Sequence, residues 1–287
     1  LKEADLVIIA GMPCDFRLDY GRQINPDADY IAINRSKEAL KLNKKPHLAV
    51  HADPCTFLLA LADECRDLRR DRFSGWIERL KENETAREDR IHQLSEEQTE
   101  HVNPLYLCRR IDRALDTNSI VIGDGGDFVA TASYMIKPRG PLCWLDPGPY
   151  GTLGVGAGFA LAAGLVRPDA EIWLLYGDGA AGYSLIECDS FVRHGVPVIA
   201  VVGNDAGWTQ ITREQAEIFG DETGTVLKYN NYHRVAEGLD AKGFLLSDAA
   251  DIDRVLEQAR TAARSGQAVL INALIGTTDF RKGSISM

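Results

Sequence analysis

Two polar segments follow two short apolar runs at corresponding places in the chain. Residues 177–179 (Gly-Asp-Gly) come directly after the apolar run 172–176, and residues 203–204 (Gly-Asn) come directly after the run 198–202. Short, fully apolar runs of this kind are typical of strands buried in a parallel sheet. In such sheets, ligands bind beyond the carboxyl ends of the strands. The chain is therefore predicted to contain a parallel α/β sheet with a polar site at one edge.

The side chains at these two strand ends are of types that bind a hard divalent cation. Asp178 and Asn204 are predicted to be two ligands of Mg²⁺, and the backbone carbonyl of Ala206 is predicted to be the third. Mg²⁺ prefers oxygen ligands and is commonly held by one or two side chains together with the phosphates of a bound molecule. The alternatives are a helix N-cap or turn for Asp178 and a plain turn for Asn204.

Small residues at the same strand ends would let a phosphate approach the backbone. Gly179, Ala180 and Ala181 are predicted to begin a helix whose N-terminal N–H groups bind diphosphate oxygens. Gly126 and Asp127 end an earlier strand and are predicted to contact a phosphate or another part of the same cofactor. The alternative for that pair is a tight turn from strand to helix.

A glycine-rich segment and one aromatic residue are further candidates for cofactor contact. Residues 148–154 could hold the flat end of a cofactor with their backbone. A dinucleotide loop is a weaker interpretation, because the glycine spacing and the acidic residue of that motif are missing. Trp208 follows the ligand loop and is predicted either to line the substrate pocket or to lie in the core. His194 is predicted at a helix end, where it offsets the helix dipole, and His233 on an exposed helix surface; the alternative for both, from residue type alone, is a catalytic base.

Apolar runs alternate with helix-like segments along most of the chain. Strands are predicted at 6–10, 30–34 and 48–50, followed by a helix over 54–62 with Asp53 as its N-cap and Pro54 at its first position. A further helix is predicted over 183–194. Residues 1–65 are predicted to be part of a middle α/β domain, 66–100 a charged helical linker, and 101–287 the cofactor-binding domain. Alternation of this kind in residues 101–287 predicts a doubly wound parallel sheet. The predicted fold class is α/β, with that sheet preceded by part of a second α/β domain.

Composition limits the classes of partner. The chain has 287 residues and a net charge of −10, which argues against nucleic acid or an anionic membrane surface as the main partner. No apolar run approaches the roughly 18 residues of a membrane-spanning helix. The six cysteines contain no Cys-x-x-Cys pair and are predicted to be reduced thiols.

The motifs together resemble those of a known enzyme family. Segments 177–179 and 203–205 resemble the cofactor signature of the thiamine-diphosphate-dependent acetolactate synthase superfamily. The longer stretch 177–193, with 203–211 and the tail 278–285, resembles its benzaldehyde lyase and 2-hydroxyacyl-CoA lyase branch. Residues 1–65 resemble the second half of that family's middle domain.

The resemblance implies a role for each matching position. Asp178, Asn204 and the Ala206 carbonyl would ligate Mg²⁺, while residues 126–127 and 179–180 would meet the diphosphate. Gly151 and Leu153 would contact the aminopyrimidine of thiamine diphosphate through their backbone, and the Leu153 side chain would hold the cofactor bent. The departure from the family pattern is Gly203, which stands where the family frequently has the first Asn of an Asn-Asn pair.

The resemblance also implies groups that this sequence does not contain. In the family, a pyrimidine-binding domain of the same or a partner subunit supplies a Glu that protonates the aminopyrimidine ring. That domain would precede Leu1, so this chain alone is expected to be inactive, and no catalytic residue is assigned within it. A homodimer or tetramer without flavin is expected. The compartment would be the endoplasmic reticulum membrane if the chain is like animal relatives, and the cytoplasm if it is bacterial.

The implied activity is that of a carbon–carbon lyase with thiamine diphosphate and Mg²⁺. Its substrate would be a 2-hydroxyacyl-CoA of fatty acid α-oxidation, cleaved to formyl-CoA and a shortened aldehyde. The alternatives are acetolactate or acyloin synthesis on the same scaffold and a non-catalytic cofactor-binding subunit. A nicotinamide-dependent dehydrogenase is a more distant alternative.

Overall fold

A computed structural model describes residues 1–68 and 70–282 of the chain. The end of the tail motif, residues 283–285, therefore lies outside the described residues. The chain divides into two compact units, Leu1–Glu82 and Asn83–Met287. No helix in the described part of the chain has the length and apolar character needed to cross a membrane.

The first unit contains a small parallel sheet. Its strands are β1 (Leu6–Ala10), β2 (Asp29–Asn34) and β3 (Leu48–His51), paired in that order. Helix α1 (Pro54–Glu64) follows β3 with Pro54 in its first turn. The Asp53 side chain caps this helix by accepting a hydrogen bond from the backbone N–H of Thr56 at 2.8 Å. The strands and the capped helix predicted for this region are confirmed.

A long charged helix, α2 (Ser74–Ser95), begins in the first unit and ends in the second. Only Ile91 and Ser95 are buried among its described side chains. The sparse apolar residues of segment 66–100 predicted this exposed helix.

The second unit contains a six-stranded sheet in the order β5-β4-β6-β7-β9-β8, and all its pairings are parallel. The strands are β4 (Ile120–Gly123), β5 (Trp144–Leu145), β6 (Ile172–Gly177), β7 (Ile199–Asn204), β8 (Lys242–Leu246) and β9 (Val269–Leu274). The helices are α3 (Pro104–Ala114), α4 (Asp127–Met135), α5 (Gly156–Val166), α6 (Asp178–Ser184), α7 (Cys188–His194), α8 (Thr209–Phe219), α9 (Tyr232–Glu237) and α10 (Ile252–Arg264).

Helices cover both faces of this sheet. Apolar side chains of α3, α4 and α10 form one core, and those of α5, α7 and α9 form the other. Strands β4, β6, β7 and β9 consequently consist almost entirely of buried residues. The α/β fold with parallel sheets and flanking helices is confirmed.

Two details of the second unit differ from the sequence prediction. The single helix predicted over 183–194 is divided, because the backbone at Ser184 leaves the helical region (φ −141°, ψ 14°) between α6 and α7. The first of these helices begins at Asp178, directly after its strand. The two-residue edge strand β5 was not predicted, because Trp144–Leu145 is too short to give a pattern.

Candidate functional site

The carboxylate of Asp178 joins the ends of two neighbouring strands. Asp178 is 1% exposed, and its Oδ1 accepts a hydrogen bond from the backbone N–H of Gly179 at 2.8 Å. Its Oδ2 accepts from the N–H of Gly207, in the loop after β7, at 3.1 Å. Gly177 and Gly203 are paired in the sheet register, so Asp178 and Asn204 occupy equivalent places on adjacent strands. The structure thus brings the two predicted side-chain ligands together, and their metal binding stays a prediction.

Asn204 is fully buried, and hydrogen bonds determine which way its amide points. Its Nδ2 donates to the backbone carbonyl of Asn230 at 3.3 Å and to Oδ1 of Asn272 at 3.2 Å. Its Oδ1 accepts from the N–H of Ala206 at 3.3 Å. The Ala206 carbonyl accepts from the N–H of Leu227 at 2.7 Å, which leaves one lone pair of that oxygen for another contact.

A second acid, Asp205, lies against Asp178 and was not predicted. The two carboxyl groups interact electrostatically with each other. Burial raises the pKa of Asp178 above its usual range, and the negative charge of Asp205 raises it further. Burial also raises the pKa of Asp205, and the charge of Asp127 adds to that rise. A divalent cation would offset these buried negative charges, so the residues present fit such an ion.

The candidate ligand set is mixed in chemical type. The described residues contain no cluster of three or more His, Cys, Asp or Glu that could hold a metal ion. A cation here would instead take a carboxylate of Asp178, the amide oxygen of Asn204 and the carbonyl of Ala206. Such an all-oxygen set suits Mg²⁺ better than a transition metal that prefers nitrogen or sulfur.

The predicted diphosphate segments come together at the ends of β4 and β6. The backbone N–H of Gly177 donates to the carbonyl of Gly125 at 2.7 Å. Gly126 has φ +108°, and a Cβ at this position would lie 2.9 Å from the Cα of Gly177. Only glycine therefore allows this approach of the two strand ends. Ala180 and Ala181, in the first turns of α6, are buried beside the same junction.

Trp208 covers the start of α6. A Cβ at Gly179 would lie 2.7 Å from the indole ring, so the ring occupies the space beside that glycine. The Trp208 ring also meets the Tyr183 ring edge-to-face, with centroids 6.3 Å apart. Trp208 is partly exposed, which places it at the boundary of the site rather than in either core.

Asp127 begins α4, and its carboxylate forms two hydrogen bonds with the guanidinium of Arg213, both at 3.0 Å. The charge of Asp127 is therefore paired. Arg213 was not predicted as part of the site, and it adds a positive charge next to the proposed diphosphate loop.

Leu153 brings the glycine-rich segment to the strand ends. A Cβ built on Gly125 would lie 2.2 Å from Cδ2 of Leu153 and 3.9 Å from Cβ of Ala180. Gly151, two residues earlier, has the left-handed backbone conformation (φ 58°). The predicted aminopyrimidine contacts and diphosphate contacts are thus adjacent in the structure.

Asp124 holds this segment in place. It is 3% exposed, and its two carboxylate oxygens accept hydrogen bonds from the N–H groups of Gly154 at 2.8 Å and Gly156 at 2.7 Å. Burial raises the pKa of Asp124, and the two backbone hydrogen bonds oppose that rise. Asp124 ends an apolar strand beside glycines, as Asp178 does, and that similarity was the signal available in the sequence.

Replacing Asp124 with Asn should lower the free energy of unfolding by about 1–3 kcal/mol. The NH₂ of the new amide would face a backbone N–H group, which would then lack an acceptor. Urea unfolding followed by circular dichroism measures this loss. Asp169→Asn, at a side chain that is 72% exposed, is the control and should change little. Equal stability of the two variants would contradict the anchoring role of Asp124.

Two further predictions meet different outcomes. His233 was predicted to be exposed but is 7% exposed, because α9 packs against β8 and β9 and turns this side chain toward the sheet. His194 is the last residue of α7, where a helix end was predicted.

At Gly203, a Cβ would lie 2.2–2.6 Å from atoms of Phe128, which gives a physical reason for the departure from the family's Asn.

Fold and site together define an α/β protein with a candidate cofactor site at the carboxyl ends of its parallel strands. Residues 124–273, more than half of the chain, match the family described as thiamine pyrophosphate enzyme, C-terminal TPP binding domain. The chain belongs to this family of thiamine-diphosphate enzymes, as the motifs predicted.

Relatives along the whole chain agree with this assignment. The chain is 47% identical to 2-hydroxyacyl-CoA lyase 2 of Danio rerio, over 100% of the chain and 47% of the relative. It is 47% identical to the Homo sapiens protein of that name, over 100% of the chain and 46% of the relative. It is 34% identical to the acetolactate synthase large subunit IlvG of Mycobacterium tuberculosis, over 96% of the chain and 49% of the relative. The chain spans about half the length of these relatives.

Proposed function

We propose that this chain is the cofactor-binding portion of a carbon–carbon lyase that cleaves 2-hydroxyacyl-CoA to formyl-CoA and an aldehyde one carbon shorter. The name of two relatives at 47% identity supports this substrate class. The observation that carries the proposal is the meeting of the acid–amide pair Asp178 and Asn204 with the glycine junction of β4 and β6.

Each part of the site has a role in this proposal. Asp178, Asn204 and the Ala206 carbonyl would hold Mg²⁺, which in turn would hold the diphosphate. The backbone at 126–127 and 179–181 would contact the diphosphate, with Trp208 closing that end. Gly151 and Leu153 would contact the aminopyrimidine. Thiamine diphosphate, when bound, supplies the electron sink that carbon–carbon cleavage needs.

The proposal includes a partner for this chain. A pyrimidine-binding domain of the same or a partner subunit would supply the Glu that activates the cofactor, within a homo-oligomer. The residues described above bind and orient, and none is positioned by an observed contact to act as that acid. The compartment, at the endoplasmic reticulum membrane or in the cytoplasm, also stays a prediction.

Acetolactate or acyloin synthesis is the second candidate function, because one relative is named acetolactate synthase large subunit. The two reactions would use the same cofactor contacts and differ in substrate. Supplying the protein that contains both domains with 2-hydroxyacyl-CoA or with pyruvate distinguishes them. Formation of formyl-CoA supports the lyase, and formation of acetolactate supports the synthase.

Calorimetric titration of this chain with thiamine diphosphate should show saturable binding that requires Mg²⁺ and disappears when EDTA removes the metal. Thiamine without its diphosphate is the matched control ligand and should bind much more weakly, because the metal and backbone contacts are made to the phosphates. Absence of binding at millimolar cofactor with Mg²⁺ would contradict the proposal for this chain.

A further inference from the structure

A closed polar network lies behind Asn204 inside an otherwise apolar sheet. Asn272 is 0% exposed and belongs to β9, where its neighbours along the strand are apolar. Its Oδ1 accepts from Nδ2 of Asn204 at 3.2 Å, and its Nδ2 donates to the carbonyl of Asn230 at 2.9 Å. A buried amide in a central strand costs stability unless its hydrogen bonds are satisfied. The network meets that requirement for both asparagine side chains.

The backbone groups of this network determine the orientation of both amides. The Asn230 carbonyl can only accept, so the atom of Asn272 that faces it must be nitrogen, and the oxygen of Asn272 then faces Asn204. Asn204 must therefore direct its side-chain nitrogen toward that oxygen and donate to it. The N–H of Ala206 can only donate, and it independently requires the oxygen of Asn204 on the opposite side.

The ring of His233 lies beside the amide of Asn272. Its Nδ1 lies 3.4 Å from Nδ2 of Asn272. Burial lowers the pKa of His233. In the tautomer that carries its proton on Nε2, Nδ1 would accept from Nδ2 of Asn272, in agreement with the orientation that the Asn230 carbonyl sets.

We propose that Asn272 is a positioning residue that, with the Asn230 carbonyl, turns the amide oxygen of Asn204 toward the cation. This inference rests on the proposed function, because it assigns the oxygen of Asn204 to the metal. It accounts for a buried polar residue in β9 that makes no contact with the proposed cofactor segments. Groups that orient a metal ligand from behind commonly change metal affinity by about 10–100-fold when removed.

The test is a titration of Mg²⁺ into the chain at saturating thiamine diphosphate, repeated with Mn²⁺ and followed by electron paramagnetic resonance. Asn272→Leu, which is close in shape but cannot hydrogen-bond, should weaken the affinity for both metals by about 10–100-fold. Asn272→Ser retains a hydroxyl that can donate and accept, and should lose less. Ile271→Ala, on the opposite face of the same strand, removes a buried side chain without touching the network and should leave metal affinity unchanged.

A readout without metal accompanies the titration. In the metal-free protein, the side-chain NH₂ of Asn204 should exchange slowly with solvent by nuclear magnetic resonance, and this protection should be lost in Asn272→Leu. Unchanged metal affinity in Asn272→Leu would overturn the positioning role. Equal weakening in Ile271→Ala would also overturn it, because the effect would then follow general stability. Failure of the unmodified chain to bind either metal would overturn the proposed function and this inference together, and it is seen before any variant is compared.

Discussion

Asp178→Asn should abolish Mg²⁺-dependent binding of thiamine diphosphate and make the stability of the metal-free protein less dependent on pH. The substitution removes the one charged group among the three proposed ligands, so the affinity for Mg²⁺ should fall by more than about 100-fold. The same change removes one of two neighbouring carboxyl groups whose pKa values are raised by burial. Near pH 8 the relief of charge is opposed by the amide NH₂, which would face one of the two backbone N–H groups from which Asp178 accepts hydrogen bonds.

The stability of the metal-free protein should depend on pH with a defined sign. The pKa values of Asp178 and Asp205 are raised in the folded protein, so the folded state binds protons more tightly than the unfolded state. Their contribution to stability is present at acidic pH and is lost as the pH rises through the raised folded pKa values. The metal-free protein should therefore lose stability from mildly acidic to mildly alkaline pH, and Asp178→Asn should lose less.

Urea unfolding with EDTA at pH 5.5 and pH 8, beside calorimetric titration with Mg²⁺ and thiamine diphosphate, measures both effects. Asp169→Asn removes an exposed acid of the same type and is the control for net charge. Mg²⁺-dependent cofactor binding that survives in Asp178→Asn would contradict the assignment of this carboxylate to the metal. A pH dependence identical to that of the unmodified protein would contradict the buried acid pair.

Gly203→Asn, which restores the residue frequent in the family, should destabilise this protein. A Cβ at position 203 would lie 2.2–2.6 Å from Phe128, a core residue of α4 that is 2% exposed. Overpacking of a close-packed core costs about 1–3 kcal/mol and sometimes more. Because Gly203 directly precedes Asn204, the displacement should also weaken Mg²⁺ binding.

A double-mutant cycle tests the steric cause. Phe128→Ala alone should cost about 3–5 kcal/mol, because it leaves a cavity in the core. The combination of Gly203→Asn and Phe128→Ala should cost clearly less than the sum of the two single changes. Phe128→Ala makes room for a side chain at position 203, and that side chain fills part of the cavity that Phe128→Ala leaves. Urea unfolding of all four proteins gives the coupling free energy. Simple additivity would show that the ring of Phe128 is not what excludes a side chain at position 203.

Much of this fold was predictable because its strands are buried on both faces. Continuous apolar runs such as those before Asp178 and Asn204 marked β6 and β7, and the turn residues after them marked the edge where ligands bind. The helix that starts at Pro54 was predicted from its capping aspartate, a local signal that needs no tertiary information.

The residues that were not predicted act through long-range contacts. Asp124 reaches Gly154, and Arg213 reaches Asp127, so the partner of neither side chain is visible in a local pattern. Asn272 did give a signal, because a polar residue interrupts the apolar run of β9 and must find partners. The burial of His233 was missed because α9 is too short to show which face packs on the sheet.

The strand order of the second sheet has a kinetic consequence. Strand β7 pairs with β9, so residue 199 lies opposite residue 269, and residue 120 of β4 lies opposite residue 172 of β6. Pairings between such distant segments form slowly, because closing a long loop costs chain entropy before the strand contacts that offset this cost can form. Asn204 acquires its amide partner only when β9 has docked. A metal or cofactor that binds only the complete site should therefore bind after the slowest folding step. The amount bound during refolding should then measure the fraction of molecules in which the sheet is complete.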